Sequence, residues 1–134
     1  MKVLAFEFGD FELFPDVIIG KMKHGIHYNL ECNQELVSSI LNHYGTDHIL
    51  AYISIRENDY SVDPMVYLHN KLYNNLACIG IVENNTSKLS TVHVESKFFK
   101  KDKLKGFKNQ NEAQIWANQL ITELVEDNLS GAIN

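Results

Sequence analysis

The sequence predicts one α/β domain: a mixed, mostly parallel sheet with an N-terminal β-hairpin and about four helices. Three observations predict it. The opening stretches "KVLAFEF" and "FELF" alternate from face to face with period two. From residue 29 onward, segments of helical period take turns with strand-like ones. Two of the later strands, "HILAYISI" and "LACIGIV", are nearly all apolar, as strands covered on both faces are. Strands separated by helices run parallel through right-handed crossovers, whereas a hairpin is antiparallel, so the sheet is mixed.

In chain order, "KVLAFEF" is the first strand, and Gly9-Asp10 fits a tight turn with glycine at its first central position. "FELF" returns, Pro15-Asp16 bends the chain, and "VIIGKMKHG" reads as a third strand. Leu36, Val37, Ile40, Leu41 and Tyr44 then recur at helical spacing. Asn29 suits the N-cap, Glu31 the positive end of the helix dipole, and Gly45 the C′ position. After "HILAYISI" and a polar loop, Met65, Leu68, Leu72 and Leu76 mark one face of a helix. "LACIGIV" is the next strand. Thr86 to Phe99 fits a helix through Leu89, Val92, Ser96 and Phe99, although "TVHVESKFF" also alternates like a strand; helix is the preferred reading. A short strand spans Leu104 to Phe107. The last helix starts on Asn109 with Glu112 three residues on, and lines up Ala113, Trp116, Ala117, Leu120 and Leu124. Residues 126–134 read as a frayed tail.

The totals agree with this reading. A chain of 134 residues is one domain on length alone, residues 1–134, and is long enough to bury a core. The net charge of −5 argues against a general nucleic-acid binder. No apolar run matches a membrane span, and Glu7, Asp10 and Glu12 interrupt the start, so neither a signal peptide nor stable membrane insertion is expected. Cys32 and Cys78 lie in different segments without metal-ligand spacing, which points to a reduced, cytoplasmic protein.

The stretches "HILAYISIRENDYSVDPMVYLHNKLYNNLACIGIVEN" and "ESKFFKKDKLKGFKNQNEAQIWANQL" resemble, in element order and hydrophobic placement, the STAS domain of anti-sigma-factor antagonists. They also resemble the related CRAL-TRIO lipid-carrier fold, and most of all small uncharacterised STAS-like bacterial proteins. The likeness runs from about Val17 to Ile121. It implies a STAS-like fold and a non-enzymatic binding or regulatory module. Anti-sigma antagonists carry a phosphorylatable serine where a strand gives way to a helix. The matching place here is "YSVDPM", where Asp63-Pro64 occupies the helix start and no Ser-Gly pair follows. The phosphorylation is therefore not carried over, although Ser61 lies nearby.

The polar loop is the first candidate site. Asp63 serves as an N-cap and Pro64 as a first helical residue, which accounts for both structurally. Arg56, Asn58, Asp59, Tyr60 and Ser61 have no such account, and they leave the C-terminal end of a central strand, where α/β sheets bind ligands. Together with Asp63 they form the expected ligand- or partner-binding set. The basic run "KFFKKDKLKGFK" interleaves Phe98, Phe99 and Phe107 with lysines; a solvated rim around an edge strand explains it better than a nucleic-acid or membrane surface. His24, His27, His43 and His48 are scattered, without the convergence a metal requires. No phosphate-cradling loop, nucleophile elbow or acid–base pair is present, so no cofactor, metal or catalytic residue is assigned.

The function expected is recognition of a protein partner or small ligand without catalysis. The alternative is a carrier of an apolar or lipid ligand, with Thr86–Phe99 as its gate and a cavity of several hundred Å³. Self-association as a homodimer through an edge strand or an amphipathic helix is compatible with the sequence.

Overall fold

The chain is described from a computed structural model covering residues 2–85 and 89–133; for residues 89–91 and 130–133 only the backbone is described. β1 (Lys2–Phe6) and β2 (Gly9–Leu13) form the opening hairpin, and β2 pairs antiparallel with β3 (Val17–Met22). Phe6 pairs with Gly9, so the turn is Glu7-Phe8 and not Gly9-Asp10. Gly9 is required for a different reason. A Cβ there would lie 2.8 Å from the Lys21 carbonyl oxygen of β3. The third strand also ends earlier than its sequence pattern, because Gly25 turns the chain at φ +80°. The two-residue strand β4 (His27–Tyr28) follows.

Three parallel strands complete the main sheet. They are β5 (Leu50–Ile55), β7 (Leu76–Val82) and β8 (Leu104–Phe107), and the full order is β1-β2-β3-β5-β7-β8. β6 (Ser61–Val62) pairs with β4 in a separate two-stranded sheet. The fold is thus the mixed α/β arrangement that the sequence predicts, with an antiparallel opening and a parallel centre.

Helices cover both faces. On one lies α4 (Gln110–Ile133), whose Ala113, Ala117 and Ile121 pack on Val17, Ile19, Ala51, Ile53 and Val82. Asn109 caps it by accepting from the Glu112 backbone N–H at 2.9 Å. This helix runs on through residue 133, past the end near Asp127 that the apolar pattern marks; residues 126–129 are exposed, so the extension is not written in core-facing side chains. The opposite face carries α1 (Leu30–Tyr44), α2 (Met65–Asn70) and α3 (Leu89–Ser96). In α1 the Asn29 side chain accepts from Cys32 N at 3.0 Å, and Gly45, at φ 85°, donates to the Leu41 carbonyl.

The α2 face differs from the sequence expectation. Met65 is 52% and Leu72 72% exposed, and the buried residues are Val66 and Tyr67. The helix ends at Asn70, so Leu72 and Leu76 never join a face with Met65. Thr86–Lys88, the start of the expected third helix, lies outside the described residues; the rest of that segment is helical from Leu89 to Ser96, with Val92 buried.

Candidate functional site

Strand alternation builds the site. Ala51 and Ile53 point from β5 toward α4, so Leu50, Tyr52, Ser54 and Arg56 point toward the α1–α2 side. There the helices do not close fully on the sheet. A cavity of about 100 Å³ remains, walled by Leu36 and Ile40 of α1, Val66 of α2, Tyr52 and Ser54 of β5, and Arg56 directly after that strand. Its lining is mostly apolar, with polar groups from the row that steps along β5 and from Tyr28, Asn33, Tyr60, Tyr67 and Asn70.

Arg56, the one arginine in the sequence, is part of the wall. Its Nη1 and Nη2 donate to the two carboxylate oxygens of Glu95 at 2.7 and 2.6 Å, a bidentate pair joining β5 to α3. Nη2 also donates to the Tyr67 hydroxyl at 3.2 Å, and that hydroxyl in turn donates to Glu95 Oε2. The pair is well covered, with side-chain exposures of 12% and 20%. Burial by itself would lower the Arg56 pKa; the bond to Glu95, supported by the neighbouring Tyr60 and Tyr67, overrides it and raises the value. Tyr67 is pushed well above its ordinary value, first by burial and then by the Glu95 charge. The guanidinium lies 5.8 Å from the Tyr60 ring centroid, and the Tyr60 hydroxyl is 3.0 Å from Ser54 Oγ.

Two buried polar atoms in this wall have no hydrogen-bond partner: Arg56 Nε and the Tyr52 hydroxyl. The Tyr52 ring is partly accessible, but its hydroxyl is not. It sits over Gly20, where a Cβ would lie 2.6 Å from the oxygen and from two ring atoms of Phe11, so only glycine leaves room. Burial and then Tyr60 raise the Tyr52 pKa, and the Ser54 hydroxyl offsets this only in part although it forms no bond of ordinary geometry with Tyr52. On the α1 side, buried Asn33 accepts from the Tyr28 hydroxyl at 3.0 Å and exchanges amide bonds with Asn70 at 2.8 and 3.2 Å, tying α1 to α2.

Of the six residues singled out from the sequence, Arg56 and Tyr60 meet at this cavity. The other four make contacts elsewhere. Asn58 donates to the Met22 carbonyl at 2.9 Å, and the Asp59 carbonyl accepts from Gly25 N at 2.6 Å. Ser61 Oγ is 2.7 Å from His27 Nδ1 across the β4–β6 pair. Asp63 accepts from Met65 N at 3.0 Å, which is capping chemistry one residue from the formal start of α2. The first three hold the loop against the end of β3, the β3–β4 connection and β4. Sequence reasoning missed Tyr52, Ser54, Tyr67 and Glu95. Tyr52, Ser54 and Arg56 were nevertheless legible as a polar series at i, i+2 and i+4 in an otherwise apolar strand.

The other candidates resolve structurally. Phe99 and Phe107 are buried and β8 is a sheet edge, so the lysines form the rim. Lys100 donates to the Tyr73 and Leu76 carbonyls at 2.6 Å each, and partial burial lowers its pKa. His48 binds the Pro15 carbonyl at 2.7 Å and Asp16 at 3.0 Å. Among the described residues no group of three metal-ligating side chains converges, and no helix is long and apolar enough to cross a membrane.

A mixed sheet with an antiparallel opening, three helices on one face and one on the other defines a STAS-like, SpoIIAA-like fold. A solved structure agrees: the chain is similar to the crystal structure of an uncharacterized protein of the DUF3478 family, described as having a SpoIIAA-like fold, from Shewanella loihica PV-4. The TM-score is 0.55 and the identity 10%, over 87% of this chain and 90% of that one, so the likeness is one of fold. No protein-family model and no curated protein matches the chain.

Proposed function

We propose that the protein is a non-enzymatic binding module that takes a small ligand in the cavity between β5 and the α1–α2 pair. The observation that carries this is the cavity itself, left between β5 and the helices and lined by apolar side chains with a few polar ones, Tyr52, Ser54, Arg56 and Tyr60, among them. Ligand pockets are clefts lined mostly by apolar side chains with a few placed polar groups.

The chemistry of the wall supports binding over catalysis. Both carboxylate oxygens of Glu95 are engaged by Arg56 and Tyr67, and the ion pair holds the carboxylate ionised as a structural partner of Arg56. Tyr28, Tyr52 and Tyr67 are all pushed upward by burial, which keeps their hydroxyls protonated at neutral pH and unsuited to act as bases. The alternative, a carrier of apolar or lipid ligands, requires several hundred Å³, and the cavity holds about 100 Å³. It therefore suits a molecule of a few heavy atoms. The same geometry allows a regulatory role in which a ligand reports to a protein partner through α3, which Glu95 joins to β5.

The test is a fragment panel observed by two-dimensional NMR on the labelled protein. Hits are expected to move the amides of Leu36, Tyr52, Ser54 and Tyr67 together. Hits scattered over the surface, with these four unmoved, would remove the cavity from the account. Turnover of any hit would overturn the non-enzymatic reading.

A further inference from the structure

We propose that β1 is a docking edge for a second copy of this chain. Two β1 strands pair antiparallel about a two-fold axis at Leu4 and join two six-stranded sheets edge to edge. The proposal is independent of the cavity.

β1 ends the sheet, and among the described residues its one strand neighbour is β2. Backbone parity decides which of its groups β2 uses. The Phe8 carbonyl accepts from Lys23 N at 3.0 Å, and Phe14 N donates to the Val17 carbonyl at 2.9 Å, so the even-numbered residues of that stretch bond toward β3. The odd ones, Gly9, Phe11 and Leu13, therefore bond toward β1, where they face Phe6, Leu4 and Lys2. Val3 and Ala5 stand between those pairs, so their N–H and C=O groups point away from β2, out of the sheet. An edge of this kind accepts another strand unless something guards it. The opposite edge, β8, carries the exposed Lys105 in its middle and Lys103 and Lys108 at its flanks. β1 has no such guard. It contains no proline, its pairing with β2 has no bulge, and no charge interrupts Val3-Leu4-Ala5-Phe6. Val3 is 54% exposed, and Ala5 is exposed beside it.

The pattern of the strand selects a second copy as the occupant. With the axis at Leu4, Val3 of each copy faces Ala5 of the other, and each such pair exchanges both of its outward backbone bonds. Leu4 meets Leu4 in the close pair between them, which covers two half-buried side chains. Charge selects the direction. β1 begins on Lys2 and is followed by Glu7, both exposed. Antiparallel pairing sets Lys2 of one copy opposite Phe6 and beside Glu7 of the other, and the two-fold axis repeats the match at the far end. Parallel pairing would set like charges side by side. An edge of five residues is a small interface, so the dimer forms between ~1 µM and ~1 mM.

Sedimentation velocity of the full chain up to ~1 mM is expected to show monomer passing to dimer as the concentration rises. A monomer throughout would overturn the proposal. Growth past the dimer would overturn it too, because a two-fold contact closes on itself. Amide hydrogen exchange locates the contact. The Leu4 and Phe6 amides, bonded to β2, should be protected at every concentration. The Val3 and Ala5 amides should exchange rapidly in dilute protein and several-fold more slowly in concentrated protein; a dimer in which they stay rapid would overturn the edge. Ala5→Pro removes an outward N–H and leaves the β2 ladder whole, a change that edge strands tolerate, and should yield a folded monomer. Dimerisation of Ala5→Pro at parental strength would overturn the pairing. The charged ends supply a test that does not depend on that variant folding. Lys2→Glu should weaken the dimer several-fold, and Lys2→Glu combined with Glu7→Lys should restore it. An unweakened single variant, or a double variant no stronger than the single, would overturn the antiparallel register.

Discussion

Truncating Glu95 is the sharpest perturbation of this architecture. Glu95→Ala removes both acceptors of the Arg56 guanidinium and the acceptor of the Tyr67 hydroxyl, leaving the cation the Tyr67 hydroxyl at 3.2 Å and the Tyr60 ring at 5.8 Å but no counter-charge. Breaking a buried ion pair by deleting one partner costs ~3–5 kcal/mol, because the surviving charge stays buried and unmatched. Side-chain exposures of 12% and 20% allow some water to reach the survivor, so the lower part of that range applies. The expected loss is about 3 kcal/mol, which lowers the urea midpoint by roughly 1–2 M for a domain of this size. The double variant Arg56→Met, Glu95→Leu removes both charges and should return to within about 1 kcal/mol of the parent, since well-packed apolar replacements of buried pairs are often neutral. Urea unfolding of the four proteins completes a double-mutant cycle. A loss below about 0.5 kcal/mol in Glu95→Ala, or a double variant as unstable as the sum of the singles, would refute the reasoning.

Other substitutions and conditions probe the same packing. Tyr52→Phe deletes an inaccessible hydroxyl that has no partner and should stabilise the empty protein by about 1 kcal/mol in denaturant unfolding; a loss of similar size would mean that the hydroxyl is bonded. Gly20→Ala places a Cβ 2.6 Å from the Phe11 ring and the Tyr52 oxygen and should cost ~1–3 kcal/mol; a neutral effect would show the contact to be loose. Burial raises the Cys78 thiol from 9.0 to about 12, and a raised value means that its contribution is whole below pH 9 and is lost as the pH climbs toward 12. Thermal unfolding between pH 8 and pH 11 should therefore decline more steeply in the parent than in Cys78→Ala, and parallel curves would contradict the burial; in the native protein a thiol reagent should label Cys32 well ahead of Cys78.

Much of the fold was legible because it is written in local patterns. Asn29, Gly45 and Asn109 punctuate helices through backbone bonds that depend on the residue itself, and the apolar runs of β5 and β7 announce a covered centre. What was not legible depends on partners distant in sequence. Gly9 looked like a turn residue because glycine favours turns; its actual constraint is the Lys21 carbonyl on a neighbouring strand. Met65 and Leu72 looked like a buried helix face, yet α2 stops at Asn70 and turns Val66 and Tyr67 inward. The candidate site divides the same way. Arg56 and Tyr60 stood out as polar residues at a strand end. Glu95 lies 39 residues away from Arg56 in sequence, on a helix whose own pattern was ambiguous, and nothing local marks it as the counter-charge. The β4–β6 pairing, which holds Ser61 and Asp63 in place, joins two-residue strands too short to show a period.

The account turns on Arg56 being buried in the wall of a cavity with its Nε–H unspent. Hydrogen exchange at that one N–H tests this most directly. The account predicts a sharp Nε–H signal that persists near pH 8 and exchanges slowly with water in the parent, and that exchanges far faster in Glu95→Ala. A signal already broadened by solvent exchange in the parent, as for an arginine in open water, would contradict it.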